Sequence, residues 1–155
     1  MDGSTLIIGL GNPLRGDDGV GVRVVQTLAT YDLPPNIRVI DGGTQGLGLV
    51  NLMEGQQRVI IVDAADIGTS PGQFVRFTLS DARLLGDEKS LSIHAAGLRE
   101  ALLLAQALDM LPPEVIIYGV QPLTLAWDST LSSSIEAGLP GLVSAILAEV
   151  ACEQA

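Results

Sequence analysis

A single histidine and two aspartates are the residues of this chain whose chemistry points to a metal. His94 is the only histidine among 155 residues, and Asp18 and Asp63 each follow a segment predicted to be a strand. One imidazole with two or three carboxylates suits a borderline divalent metal such as nickel, zinc or cobalt. No zinc ribbon or His-Glu-x-x-His helix is present. Such a site has few protein ligands, so coordination positions stay open for water or for groups of a partner.

The elements that must position these residues follow an α/β rhythm. Short, continuous apolar runs indicate strands covered on both faces, and apolar residues repeating at helical spacing indicate helices between them. We expect strands at residues 5–9, 37–40, 59–62 and 114–120, an edge strand at 73–78, and helices at 18–31, 47–53, 92–108 and from about 133. This alternation predicts a single domain over residues 1–155, a three-layer α/β/α sandwich with a mostly parallel, twisted sheet of five or six strands.

Three of the predicted strands end at carboxylates. Ligands of open parallel sheets bind outside the carboxyl ends of the strands, so these residues are the candidates for chemistry. We expect Asp17 to cap the following helix, which leaves Asp18 for function. The carboxylate of Asp41 could be satisfied by the backbone N–H groups of Gly42 and Gly43. Asp63 ends an apolar strand, where a carboxylate needs a solvated crevice, a hydrogen bond or a cation.

His94 falls in the first turn of the helix predicted to begin near residue 92. The positive end of the helix dipole disfavours imidazolium there. Neutral imidazole is the form that binds metals, so this position favours a ligand role.

Several other functions are disfavoured. The glycine-rich segment after the first strand has Leu14 where a dinucleotide fingerprint requires its third glycine, so Gly9 and Gly11 are better explained by tight turns and close helix–strand contact. There is no Gly-x-Ser-x-Gly turn, and Cys152 lies too near the terminus for a convincing nucleophile. A net charge of -10 argues against nucleic acid as a partner.

The cellular location is expected to be the cytoplasm. The chain has one cysteine and no charged-then-apolar signal segment at its N-terminus. We also expect no membrane partner, because no apolar run approaches the roughly 20 residues that span a bilayer.

Four segments together resemble the hydrogenase maturation proteases, which remove a C-terminal peptide from the large subunit of nickel-iron hydrogenases after nickel insertion. They are IGLGNPLRGDDGVG at residues 8–21, DGGTQG at 41–46, IVDA at 61–64 and SIHAAGL at 92–98. The resemblance implies that Asp18, Asp63 and His94 contact the metal, some members carrying glutamate in place of Asp18. It also implies that Asp41, Gly42, Gly43 and Thr44 take part in substrate recognition.

The resemblance leads to one main hypothesis and two alternatives. The main one is an endopeptidase that acts on a large-subunit precursor and recognises nickel supplied by that precursor, with Asp18, Asp41, Asp63 and His94 as the catalytic candidates. The first alternative is a non-catalytic, nickel-dependent binding protein for hydrogenase assembly. The second is an esterase like peptidyl-tRNA hydrolase, whose opening resembles GLGNP at residues 9–13. The acidic segment that follows, at residues 16–19, departs from that enzyme's basic pattern.

Overall fold

A six-stranded sheet lies at the centre of the computed structural model, which describes residues 3–44, 46–79, 92–93 and 98–152. Its strands are β1 (Thr5–Leu10), β2 (Ile37–Gly43), β3 (Arg58–Asp66), β4 (Phe74–Thr78), β5 (Ser92–Ile93) and β6 (Glu114–Val120). The order is β2-β1-β3-β6-β4, and β5 pairs with β3. Four of these strands are parallel, while β4 pairs antiparallel with β6 at the sheet edge. The predicted sheet and its edge strand are confirmed.

Helices cover both faces of this sheet, which confirms the three-layer sandwich. They are α1 (Val20–Leu28), α2 (Leu49–Met53), α3 (Leu98–Ala107) and α4 (Ser133–Cys152), with 3-10 turns at Gly16–Gly19 and Gly46–Gly48. Side chains alternate between the faces along each strand. Ile7, Ile60 and Ile116 join the core under α1 and α4, whereas their neighbours Ile8, Ile61 and Ile117 join the core under α2 and α3.

The glycines of the opening segment allow α1 to pack directly on the sheet. A Cβ atom on Gly9 would clash with the backbone oxygen of Gly21, and one on Gly21 would clash with the backbone oxygen of Val62. Gly11 has a φ of +119°, and a Cβ there would clash with the backbone oxygen of Asp18. The explanation by turns and helix–strand contact is therefore confirmed for Gly9 and Gly11.

Helix α4 corrects the expectation that no apolar run approaches the length that spans a bilayer. The segment Ser133–Ala151 is 19 residues long with a mean hydropathy of 1.4, so by length and composition it could cross a membrane. The core helix of a globular domain can have the same length and composition, and Ile135, Leu142 and Ile146 of α4 are buried against the sheet. This apolar character is weak support for a membrane span, because burying one face of α4 already requires it.

Candidate active site

Asp63 lies inside β3 rather than after its end. The pairing of β1 with β3 stops at Gly9 and Val62, whereas the pairing with β6 continues through Asp63 and Ala64. The strand extends to Asp66, so the expected exit at Asp63 is wrong, because β6 and β5 supply partners beyond the end of β1. Asp63 is fully buried. A carboxylate at this depth requires hydrogen bonds or a cation to offset its lost hydration.

Asp18 lies in the 3-10 turn Gly16–Gly19, which packs close to β3. Its Oδ2 accepts a hydrogen bond from the backbone N–H of Asn12 at 2.8 Å. Its Oδ1 is buried and accepts no hydrogen bond within the described residues. Buried polar atoms normally have a partner, so Oδ1 is an acceptor suited to a bound cation. The fold therefore brings the turn that carries Asp18 to the strand that carries Asp63.

Asp17 is fully buried and connects two loops instead of capping its own helix. Its Oδ2 accepts hydrogen bonds from the backbone N–H groups of Leu123 at 2.8 Å and Thr124 at 3.1 Å, and from Ser132 Oγ at 2.7 Å. Its Oδ1 accepts one from the Ser132 N–H at 2.7 Å. The predicted cap is wrong, because these distant donors satisfy the carboxylate.

These contacts also set the protonation of Asp17. Burial alone would raise the pKa of the carboxyl group, but the hydrogen bonds from Ser132, Leu123 and Thr124 outweigh it, so the pKa is lowered. Asp17 is thus a charged structural anchor, and Asp18 is the member of the pair that is available for chemistry.

Asp41 lies near the end of β2, which extends through it to Gly43 rather than stopping at residue 40. Its side chain is exposed, and its Oδ1 accepts the Gly43 N–H at 2.8 Å. The backbone oxygen of Gly43 in turn accepts the Gly11 N–H at 2.9 Å. Gly42 is buried, and a Cβ atom there would clash with the side chains of Ile8 and Leu10, whereas Thr44 is exposed. This segment thus borders the loop that leads to Asp18.

His94 lies outside the described residues, so its role as a metal contact stays a prediction. The residues before it are described, and they correct the predicted helix. Ser92 and Ile93 form a strand antiparallel to β3, paired with Asp66 and Ala65, so these two residues are not part of the predicted helix. Within the described part of the chain, no three metal-ligating side chains converge. That finding leaves the predicted trio untested, since one member is not described.

The loop between β6 and α4 is the part of the site that the sequence did not reveal. It supplies the donors to Asp17 and carries Trp127, the only tryptophan of the chain, with 73% of its surface exposed. A lone tryptophan in a segment without strand or helix periodicity is the sequence signal that could have indicated this loop.

Gly43 and Gly141 form a matched pair for testing the turn after β2. A Cβ would meet nothing within 4 Å at either position, but Gly43 has a φ of +58° whereas Gly141 lies in α4. We expect Gly43→Ala to cost about 1–2 kcal/mol of unfolding free energy, because L-residues avoid this conformation. Gly141→Ala should instead gain about 0.5–1 kcal/mol. Urea denaturation measures both, and equal effects would contradict the assigned conformation.

Fold and site together define an α/β/α sandwich protein with a carboxylate site at the carboxyl edge of parallel strands, where proteins of this architecture bind ligands. The chain belongs to the hydrogenase maturation protease family, whose model matches residues 22–149. It is accordingly a hydrogenase maturation endopeptidase, that is, a peptide hydrolase.

Individual relatives agree with this assignment. The hydrogenase expression/formation protein HupD of Rhodobacter capsulatus is 34% identical over 149 residues, which cover 96% of this chain and 70% of HupD. The hydrogenase 2 maturation protease of Escherichia coli is 30% identical over 145 residues, which cover 92% of this chain and 88% of that protease. The solved structure of the maturating endopeptidase HybD from E. coli superimposes with a TM-score of 0.85 at 27% identity, covering 97% of this chain and 93% of HybD.

Proposed function

We propose that this endopeptidase removes the C-terminal extension of a nickel-iron hydrogenase large-subunit precursor after nickel insertion, and that Asp18, Asp63 and His94 recognise the inserted nickel. The observation that carries the proposal is the buried Oδ1 of Asp18, which accepts no hydrogen bond from the described residues, on a turn packed against the strand of Asp63. A lone pair held out of water in this way is suited to a cation.

The strand pairing of β5 supports the inclusion of His94. Ile93 precedes it in sequence and pairs with Ala65, two residues beyond Asp63. The described end of β5 therefore lies beside the part of β3 that carries Asp63. An imidazole added to two carboxylates gives the mixed nitrogen and oxygen ligand set that a borderline metal accepts.

The nickel in this proposal is part of the substrate. Three protein ligands leave coordination positions open, and groups of the precursor can occupy them. The enzyme then distinguishes a nickel-loaded precursor from an empty one, because only the loaded form presents a metal ion that Asp18, Asp63 and His94 can coordinate together.

Asp41 and its neighbours are proposed to contact the precursor chain. Asp41 is exposed and uses Oδ1 for the Gly43 N–H, which leaves Oδ2 to accept a hydrogen bond or a proton. Peptide hydrolysis needs a group that takes a proton from the attacking water, and a carboxylate can do so. We assign this segment, Asp41 with Gly42, Gly43 and Thr44, to substrate binding and keep Asp41 among the catalytic candidates.

Membership of a protease family favours the endopeptidase over the non-catalytic nickel-dependent binding protein and over the esterase. The net charge of -10 likewise disfavours tRNA. We propose the cytoplasm as its location, with the precursor as partner and no role for nucleic acid or membrane.

The decisive experiment mixes the protein with nickel-loaded or nickel-free large-subunit precursor and measures product masses. We expect the loaded precursor to be shortened at its C-terminus and the empty one to keep its full mass. Cleavage of both forms would refute nickel recognition while leaving the protease activity intact. Nickel-dependent binding without shortening would instead establish the binding-protein alternative.

A further inference from the structure

Three large apolar side chains are strongly exposed on the two loops beside the candidate site. Leu14, Leu123 and Trp127 expose 59%, 62% and 73% of their surface. Only 3% of the chain is aromatic, and its single tryptophan is the most exposed of the large apolar residues described. Clustered exposed apolar groups mark interaction sites more often than scattered ones do. We call these three residues the rim patch.

The loops that carry the rim patch are fastened to each other. The Gly16 N–H donates to the Asp128 backbone oxygen at 2.7 Å, and the Asp128 N–H donates to the Leu14 oxygen at 2.9 Å. The Asp17 carboxylate holds the Leu123 N–H. The rim patch is therefore fixed before any partner arrives, which lowers the entropic cost of binding.

Arg15 orders the tryptophan further. Its Nε donates to the Leu125 backbone oxygen at 3.2 Å, and its guanidinium carbon lies 5.2 Å from the centre of the Trp127 ring. This cation–π contact favours the ring orientation seen in the structure. Tryptophan and arginine are also the residues most enriched where protein interfaces derive their binding energy.

The rim patch is continuous with the carboxylate site. Asp18 accepts the Asn12 N–H, and Asn12 Oδ1 accepts the Leu14 N–H at 2.9 Å. Asp17, which holds the loop of Leu123, is the sequence neighbour of Asp18. A polypeptide whose scissile bond lies at the carboxylates must therefore pass close to the rim patch.

We infer that the rim patch is a docking surface for an apolar segment of the large-subunit precursor next to its cleavage site. This inference rests on the proposed function and adds to it a surface that determines affinity. Apolar contact beside the carboxylates supplies binding energy that nickel recognition alone does not, and the exposed area of Leu14, Leu123 and Trp127 is available for it.

Processing kinetics with nickel-loaded precursor test the inference. We expect Trp127→Ala and Leu123→Ala each to raise KM about tenfold, the effect of losing roughly 1.4 kcal/mol, while kcat stays within about twofold. Leu108→Ala is the matched control, because Leu108 is 55% exposed but precedes β6 at the opposite edge of the sheet. An unchanged KM in both rim variants, with wild-type cleavage intact, would overturn the docking surface alone. No cleavage by the wild type would overturn the proposed function instead.

A direct readout uses the single tryptophan. Protein labelled with 5-fluorotryptophan gives one fluorine NMR resonance, which reports on Trp127 alone. Adding nickel-free precursor, which we expect to stay uncut, to labelled wild-type protein should shift or broaden that resonance, because apolar docking at the rim patch does not require the metal. A resonance unmoved by saturating precursor would contradict the inference. A resonance that moves with protein concentration alone, before precursor is added, would assign the rim patch to self-association and overturn it as well.

Discussion

Asp63→Asn should abolish processing of the nickel-loaded precursor, whereas Asp66→Asn on the same strand should leave it unchanged. Asp63 is fully buried at the point where β1 pairing ends, while Asp66 is exposed at the end of β3. The amide keeps the size of the side chain but removes the charge that a metal requires. We expect a loss larger than the roughly 10–100-fold typical of groups that only support a metal ligand.

Single-turnover rates measured by mass spectrometry check this prediction. Asp18→Asn should behave like Asp63→Asn, because its buried Oδ1 is the other proposed oxygen ligand. Circular dichroism and thermal unfolding show whether each variant is folded. A folded Asp63→Asn protein that cuts at the wild-type rate would remove Asp63 from the nickel-contacting set.

Asp17→Asn should destabilise the fold by about 3 kcal/mol or more, because more than one buried donor would lose its partner at about 1–3 kcal/mol each. The carboxylate accepts hydrogen bonds from three backbone N–H groups and one hydroxyl. An amide has one acceptor oxygen, and its NH2 group would face donors, so buried N–H groups would lose their partners. Denaturant unfolding at neutral pH measures the loss.

Asp128→Asn is the matched control for Asp17, since it lies in the partner loop but is exposed. Among the described residues, its carboxylate accepts hydrogen bonds from Thr130 alone, within its own turn. We expect a loss below about 1 kcal/mol, as for a surface substitution. A loss equal to that of Asp17→Asn would show that the loop, rather than the buried carboxylate, determines the stability.

The contribution of Asp17 to the free energy of unfolding should also depend on pH in a defined direction. Because the folded pKa lies below the ordinary value of 3.8, its stabilisation is complete above that value and is lost as pH falls through the lowered folded pKa. The difference in unfolding free energy between wild type and Asp17→Asn should therefore shrink as pH falls below 3.8. A difference that is constant down to pH values near 2 would contradict the lowered pKa.

The sequence by itself determined the sandwich and most of its strands. A continuous apolar strand such as residues 59–62 points side chains to both faces of the sheet, so both faces must be covered. The apolar face of α1 in turn must pack against a sheet. The packing role of Gly9 and Gly11 was also predictable, because the third glycine of a nucleotide site is absent. These inferences depend on local periodicity and on steric limits that act over a few residues.

Only the tertiary structure decided how the acidic residues divide their roles. Asp17 and Asp18 are adjacent residues of the same type. Ser132, which lies 115 positions from Asp17, donates two hydrogen bonds to the Asp17 carboxylate and gives it a structural role. Likewise, β3 continues past Asp63 because β6 and β5 pair with it there. Hydrogen-bond partners from distant segments leave no local pattern, so the buried anchor and the available Oδ1 of Asp18 become distinguishable only when the chain has folded.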